Sequence, residues 1–197
     1  HIEIDALGRV IREVDRNEGQ PGKDLALTID SGLQKFIFRH LKDMSAIAVV
    51  MDALSGEILA MVSTPGFDPN AFNEGLSTEA WHDLVSNPKG PLINKSISGQ
   101  YMPGSTFKMM VALAALEDEI ISPNQRFFCE GHMELGDSRF HCWKEKGHGA
   151  MKMVSALQQS CDVYFFEVAL RTGINRISKM ARRFGLGAKL GIDLPGE

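Results

Sequence analysis

The chain has 197 residues, 21 Lys+Arg against 25 Asp+Glu, a formal charge of −4 and 44% hydrophobic residues. That is an ordinary globular balance with no basic stripe to meet phosphates, so nucleic acid is not an expected partner. No apolar run approaches the roughly 20 residues that span a bilayer, and no signal peptide opens the sequence. The length suits one domain, or one plus a fragment of another, and an opening at His1-Ile2-Glu3, without Met, leads us to expect a segment from inside a longer protein.

Residues 1–24 read as a connector. Gly8 precedes a short strand-like piece, Arg9 to Arg12, and Gly19-Gln20-Pro21-Gly22 is a turn. Leu25 to Ile29 alternates and is rich in β formers, which predicts a strand. Asp30 or Ser31 caps a helix to about Lys42, with Leu33, Phe36, Ile37 and Leu41 at helical spacing. Ile47 to Met51, a turn at residues 52–56 and Glu57 to Val62 predict a hairpin. Thr64 to Asn73 reads as a loop, Thr78 to Val85 as a short helix, and residues 87–104 as irregular. A helix is expected from Ser105 to about Glu119, its core stripe being Met109, Ala112, Leu113 and Leu116. Residues 126–149 read as short strands and loops. Met151 to Arg171 is apolar at helical spacing but is interrupted by Ser160-Cys161-Asp162, and Ile174 to Phe184 is a last helix closed by Gly185. One hairpin followed mostly by helices is an α+β pattern. A lone hairpin is barely stable, so the sheet is expected to be incomplete, its remaining strands lying beyond residue 197 or in a partner.

The sharpest chemical signal is Ser105-Thr106-Phe107-Lys108. Three apart at a helix start means one face. A serine hydroxyl is a poor nucleophile until a base takes its proton, and a lysine one turn away does so if a dry, partly cationic surrounding lowers its pKa. Free N–H groups at the helix N-terminus favour a developing oxyanion. Alone, the pair is also compatible with an N-cap serine and a solvated lysine. Ser160-Cys161-Asp162 shifts the balance. Either it is a polar patch in mid-helix, with the serine bonding back one turn, or it breaks the helix and brings Ser160 and Asp162 toward Ser105 and Lys108. S-x-x-K with S-D-N and K-T-G is the motif set of class A β-lactamases and penicillin-binding proteins, and here the second element would be S-C-D.

On these motifs the sequence resembles the transpeptidase domain of class B penicillin-binding proteins, nearest the penicillin-binding protein 2 branch that serves cell elongation. An ordered series carries the resemblance: Gly8 to Arg12, Leu27-Thr28-Ile29-Asp30 with Leu33-Gln34, Ser55 to Ser63, Phe67-Asp68-Pro69-Asn70, Asn94-Lys95-Ser96, Trp143-Lys144 with Gly147-His148-Gly149, and Gly191 to Glu197. It implies a partial penicillin-binding, serine β-lactamase-like fold, with residues 1–24 a connector from an upstream non-catalytic domain and 25–197 the N-terminal part of the transpeptidase domain. It implies a serine D,D-transpeptidase that cross-links peptidoglycan stem peptides. Ser105 would attack the D-Ala–D-Ala amide, Lys108 would be the general base, and Ser160 would relay a proton to the leaving amine. Asp162 stands where many relatives have Asn. β-Lactams would acylate Ser105, and no cofactor is needed for the chemistry. The implied partners are a SEDS-type glycosyltransferase and the rod-shape complex. The implied location is the periplasm, with an inner-membrane anchor outside this chain. The family's Lys-Ser/Thr-Gly motif does not occur in the 197 residues. It would follow residue 197, and this segment alone is expected to be inactive. The alternatives are a serine β-lactamase, which needs a deacylating water, and a non-catalytic β-lactam sensor or wall-binding scaffold.

Cys129, His132, His141, Cys142, His148 and Cys161 are crowded together. Three readings compete: a structural zinc site, a Cys129–Cys142 disulfide with Cys161 free, and three buried thiols. The odd cysteine favours zinc, because a metal holds all three thiolates. His148, between two glycines that let the backbone turn, is the chosen imidazole, with His132 and His141 as alternatives. The expected ligands are therefore Cys129, Cys142, His148 and Cys161.

Overall fold

The computed structural model describes residues 2–13 and 22–196, so most of the turn expected at 19–22 lies outside the described residues. The chain divides into two compact units, His1–Gly66 and Phe67–Glu197.

In the first unit, β1 (Ile2–Ile4) pairs antiparallel with β2 (Val10–Glu13). The Asp5 carboxylate accepts from the N–H groups of Leu7 and Arg9, both at 2.9 Å, and so closes the link between them. Helix α1 (Ser31–Leu41) begins where Asp30 caps it, its side chain accepting from Leu33 N at 2.8 Å. The hairpin joins β3 (Ala46–Met51) to β4 (Ile58–Thr64), in register from Ala46 opposite Thr64 to Met51 opposite Ile58. Alternate residues of β4, Ala60, Val62 and Thr64, are buried, as a period of two requires. The Gln34 amide locks α1 to β4 by donating to Met61 O at 2.7 Å and accepting from Met61 N at 2.9 Å. It occupies both main-chain groups of one strand residue, as a neighbouring strand would. The strand expected at residues 25–29 is not one. Leu25 and Leu27 are exposed, and the ties to β4 are the Thr28 hydroxyl donating to Ile58 O and Asp30 N donating to Leu59 O. β-Forming residues make a strand only when a ladder is offered to their main chain.

The second unit is built on helices. Its first part carries α2 (Asn70–Glu74), α3 (Thr78–Ser86) and α4 (Lys95–Ser98). The first and last of these lie in stretches expected to be irregular. Ser77 caps α3 and Asn94 caps α4 through their side-chain oxygens. A 3₁₀ turn, Gly104–Phe107, leads into α5 (Lys108–Glu117). Then come β5 (Phe127–Cys129), β6 (His132–Leu135), β7 (Ser138–His141) and β8 (Gly149–Met151), with β5 paired to β8 and β6 to β7. Helices α6 (Met153–Gln158), α7 (Asp162–Thr172) and α8 (Ile174–Arg183) complete it. All sheets among the described residues are two-stranded, as the expected partial sheet requires.

Helices α5, α6, α7 and α8 enclose the core, where Ala115, Ala156, Tyr164 and Val168 are fully buried and the Phe127 ring meets Tyr164 edge-on. The stripe expected on α5 is displaced: Val111, Ala112, Ala114 and Ala115 are buried, whereas Met109 and Leu113 are largely exposed. The helix is apolar nearly all round, so periodicity does not select a face. Its small residues do, because they let α7 and α8 approach closely.

Two glycines hold the β5–β8 region together. A Cβ on Gly131 would strike the Glu145 carbonyl, and one on Gly147 would strike the Cys129 carbonyl and the Glu130 backbone. Both also have positive φ, 107° and 73°. Gly147→Ala is therefore expected to destabilise the protein by more than about 3 kcal/mol, from collision and left-handed backbone together. Chemical denaturation of the full-length protein checks it; a loss within about 1 kcal/mol would show that these loops part easily.

Candidate active site

Ser160-Cys161-Asp162 is a helix break. α6 ends at Gln158, α7 begins at Asp162, and Ser160 between them has φ 49°, a left-handed conformation that serine seldom adopts. The turn is closed by Ser160 N donating to Leu157 O and Cys161 N donating to Ala156 O. It brings all four expected residues together. Ser160 Oγ lies 2.8 Å from Ser105 Oγ, and Lys108 Nζ donates to Ser160 Oγ at 3.0 Å, to Ser160 O at 2.9 Å and to Asp162 Oδ1 at 2.6 Å.

The arrangement has a definite order. Ser105 is exposed on the 3₁₀ turn that precedes α5, whereas the Lys108 side chain is only 13% exposed and lies beside the Phe165 ring. Lys108 connects to Ser105 through Ser160, not by a hydrogen bond of its own. The ammonium has three donors and three acceptors receive them. Its surroundings are anionic, not partly cationic as expected from the motif alone. Burial pushes the Asp162 carboxyl up, but Lys108 Nζ and the Trp143 main-chain N–H outweigh it and hold the group below the usual carboxylate range. A hydroxyl chain between an exposed serine and a buried amine can carry a proton either way, since each hydroxyl both donates and accepts.

Cys129, Cys142 and Cys161 are buried free thiols. Their Sγ atoms and His148 lie within 4.8 Å of one another as a four-residue group. The Nδ1 of His148 is 3.5 Å from Cys142 Sγ and 3.7 Å from Cys129 Sγ. A tetrahedral zinc with ordinary bond lengths puts its ligand atoms roughly 3.6 Å apart, so the donor set and spacing fit that ion. Burial, helped by the Lys144 charge, holds His148 below its usual range and keeps a lone pair free. For Cys142, burial pushes upward but the N–H groups of Lys144, Asp162 and Val163 outweigh it and lower the thiol. Burial drives Cys161 up to about 12, with its thiol neighbours adding to the rise. A divalent cation among the sulfurs reverses that repulsion. His132 and His141, the alternative ligands, face each other across β6 and β7 with ring centroids 6.4 Å apart and stand outside the group.

One contributor stands in the series that carries the family resemblance, with no role assigned to it there. Trp143 follows Cys142, and its main-chain N–H donates to Asp162 Oδ2 at 3.0 Å while its indole N–H donates to Gln159 O at 3.0 Å. Its place in that series and its adjacency to a candidate ligand were the signals available in the sequence.

The penicillin binding protein transpeptidase domain matches residues 46–197 of this chain. The chain belongs to that family. Peptidoglycan D,D-transpeptidase MrdA of Escherichia coli K12 is 39% identical over 198 residues, covering 100% of this chain and 31% of the relative. The chain thus spans about a third of the length of the curated relatives it matches. Among solved structures, Pseudomonas aeruginosa PBP2 in complex with WCK 5153 superposes with a TM-score of 0.83 at 38% identity, over 90% of this chain and 41% of that one. The PBP2 of Helicobacter pylori, in complex with MreC, gives 0.84 at 33% identity, over 100% and 37%. The partial penicillin-binding transpeptidase fold expected from the sequence is therefore the fold of this chain.

Proposed function

We propose that this chain is the nucleophile-bearing part of a serine D,D-transpeptidase that cross-links peptidoglycan stem peptides during cell elongation. The observation that carries the reading is the unbroken line from Ser105 Oγ through Ser160 Oγ to Lys108 Nζ, anchored by Asp162. The relative named peptidoglycan D,D-transpeptidase supports it.

Ser105 Oγ attacks the carbonyl carbon of the D-Ala–D-Ala amide. At rest the Lys108 ammonium donates to Ser160 Oγ and Asp162, and Ser160 Oγ donates to Ser105 Oγ. Once Lys108 has given up a proton the line reverses, the Ser105 proton passing to Ser160 Oγ and the Ser160 proton to Lys108 Nζ. The proton returns along the same line to the leaving nitrogen of the terminal D-Ala as the C–N bond breaks. An ester on Ser105 remains. An amine of a neighbouring stem displaces Ser105 and forms the cross-link, and a β-lactam is opened by the same first step.

The four-residue group holds a structural zinc in this reading. All four positions would be filled by protein, leaving none for substrate. Cys161 lies between Ser160 and Asp162, so the metal steadies the turn and takes no part in the chemistry. The full-length protein is anchored in the inner membrane with this part in the periplasm, beside a SEDS-type glycosyltransferase and the rod-shape complex. The likeness to a PBP2 solved with MreC supports such an assembly.

Labelling the full-length protein with a fluorescent penicillin tests the function. The adduct is expected on Ser105, and Ser105→Ala is expected to abolish it. An adduct on Ser160, or undiminished labelling of the variant, would overturn the assignment.

A further inference from the structure

The Gln159–Asp162 turn carries two of the polar side chains of the site, and its backbone is not one that serine holds freely, since Ser160 sits at φ 49°. Besides its two main-chain bonds, Ser160 N to Leu157 O and Cys161 N to Ala156 O, the turn is held from outside. Lys108 fixes its middle from the core side through Ser160 O. Trp143 fixes both ends from the opposite strand-loop segment, by the indole N–H on Gln159 O and the main-chain N–H on Asp162 Oδ2, each at 3.0 Å. Its ring also lies edge-on to His148 with centroids 5.3 Å apart. Within this chain Trp143 is 65% exposed. The indole supplies one well-directed donor to the turn and the main chain of the same residue a second, which points to a positional role.

We propose that Trp143 is a positioning residue for the Ser105–Ser160–Lys108 proton line. It clasps the helix break from both ends, so that Ser160 Oγ stays between Ser105 and Lys108 and Asp162 keeps its second oxygen occupied while the first holds Lys108. Cys142 and Cys161, each next to one of the clasped segments, tie the same two pieces together at the Cys/His group. The indole bond and the thiol group thus both bear on one turn, the thiol group partly through Cys142, the neighbour of Trp143. The proposal rests on the transpeptidase reading of this site.

The test uses the full-length protein and a penicillin, with the acylation rate constant measured separately from the preceding non-covalent dissociation constant. Trp143 is replaced by 3-benzothienylalanine through stop-codon suppression, which keeps the ring's shape and removes the N–H, and independently by Phe. Loss of one hydrogen bond to a carbonyl predicts an acylation rate constant lower by roughly fivefold to tenfold in both variants. The non-covalent constant is expected within about twofold of wild type, and 7-azatryptophan at the same position, which restores the N–H, is expected to recover most of the rate. Wild-type acylation with an unchanged rate in the benzothienyl variant would overturn the proposal and leave the transpeptidase reading standing. A fall that 7-azatryptophan does not restore would reduce Trp143 to packing and likewise overturn it. No acylation of the wild type would remove both.

Discussion

Lys108→Ala is expected to acylate roughly 10²–10⁴-fold more slowly than wild type while keeping its fold, the range a positioned general base supplies. The geometry says why the loss is large. Lys108 Nζ is the inner end of the proton line, and three acceptors, Ser160 O, Ser160 Oγ and Asp162 Oδ1, converge on it. With the amine gone, the Ser105 proton has no basic destination within reach of Ser160. The fold is expected to survive because Cys161 N and Ser160 N close the turn by main-chain bonds that do not involve lysine. Asp162 also keeps its bond from the Trp143 N–H, so its carboxylate is not stranded. Stopped-flow acylation with a chromogenic β-lactam and a thermal melt of the same sample read the two effects apart. A rate within a few-fold of wild type would exclude Lys108 as the base. A melt that collapses with the rate would show that the ion pair with Asp162 is mainly structural.

The features legible in the sequence are those set by local chemistry. Of the two candidate caps for the first helix, Asp30 or Ser31, Asp30 is the cap, because a side-chain oxygen before a helical run satisfies the nearby N–H groups wherever the rest of the chain goes. The β3–β4 hairpin and the break at Ser160 follow from patterns a few residues long. The features that were not legible depend on partners. Leu25 to Ile29 has strand-forming side chains but finds no ladder. α5 is apolar on every side, so its buried face is chosen by what packs on it. Two stretches read as irregular hold α2 and α4, each of five residues or fewer, too short for periodicity to register.

The site divides the same way. Ser105, Lys108, Ser160 and Asp162 are side-chain chemistry at recognisable spacing, and the structure brings them into one hydrogen-bonded line. The four thiol and imidazole residues are crowded into residues 129–161, and His148 stood out from His132 and His141 by its flanking glycines. Trp143 could not be read in this manner. Its part is played by a main-chain N–H and by an indole that reaches a carbonyl, and neither leaves a motif. The order of the proton line is also structural information: S-x-x-K suggests a direct serine–lysine pair, whereas Ser160 stands between them.

The second large effect is expected at the Cys/His group, where Cys129→Ser should lower the melting temperature by more than about 10 °C and slow acylation in the same protein. Binding of a structural zinc supplies about 10 kcal/mol or more of apparent folding free energy, and a serine hydroxyl, which does not ionise near neutral pH, replaces a thiolate poorly. The effect on rate is the more telling one. Cys129 lies at the end of β5, buried, with no bond to Ser105, Lys108 or Asp162. It reaches the site through Cys161, whose neighbours on either side are Ser160 and Asp162, and through Cys142, whose neighbour Trp143 holds Asp162. Loosening one ligand therefore loosens the turn that carries the proton line. Full-length protein purified in zinc-free buffers is expected to contain one zinc per chain by elemental analysis, and chelation of the wild type should reproduce both changes seen in Cys129→Ser. A metal content near zero, with a Cys129–Cys142 disulfide found by mass spectrometry, would exclude the ion and leave Ser105 and Lys108 in their proposed roles. Zinc at full occupancy with an acylation rate unmoved by Cys129→Ser would instead uncouple the group from the catalytic turn.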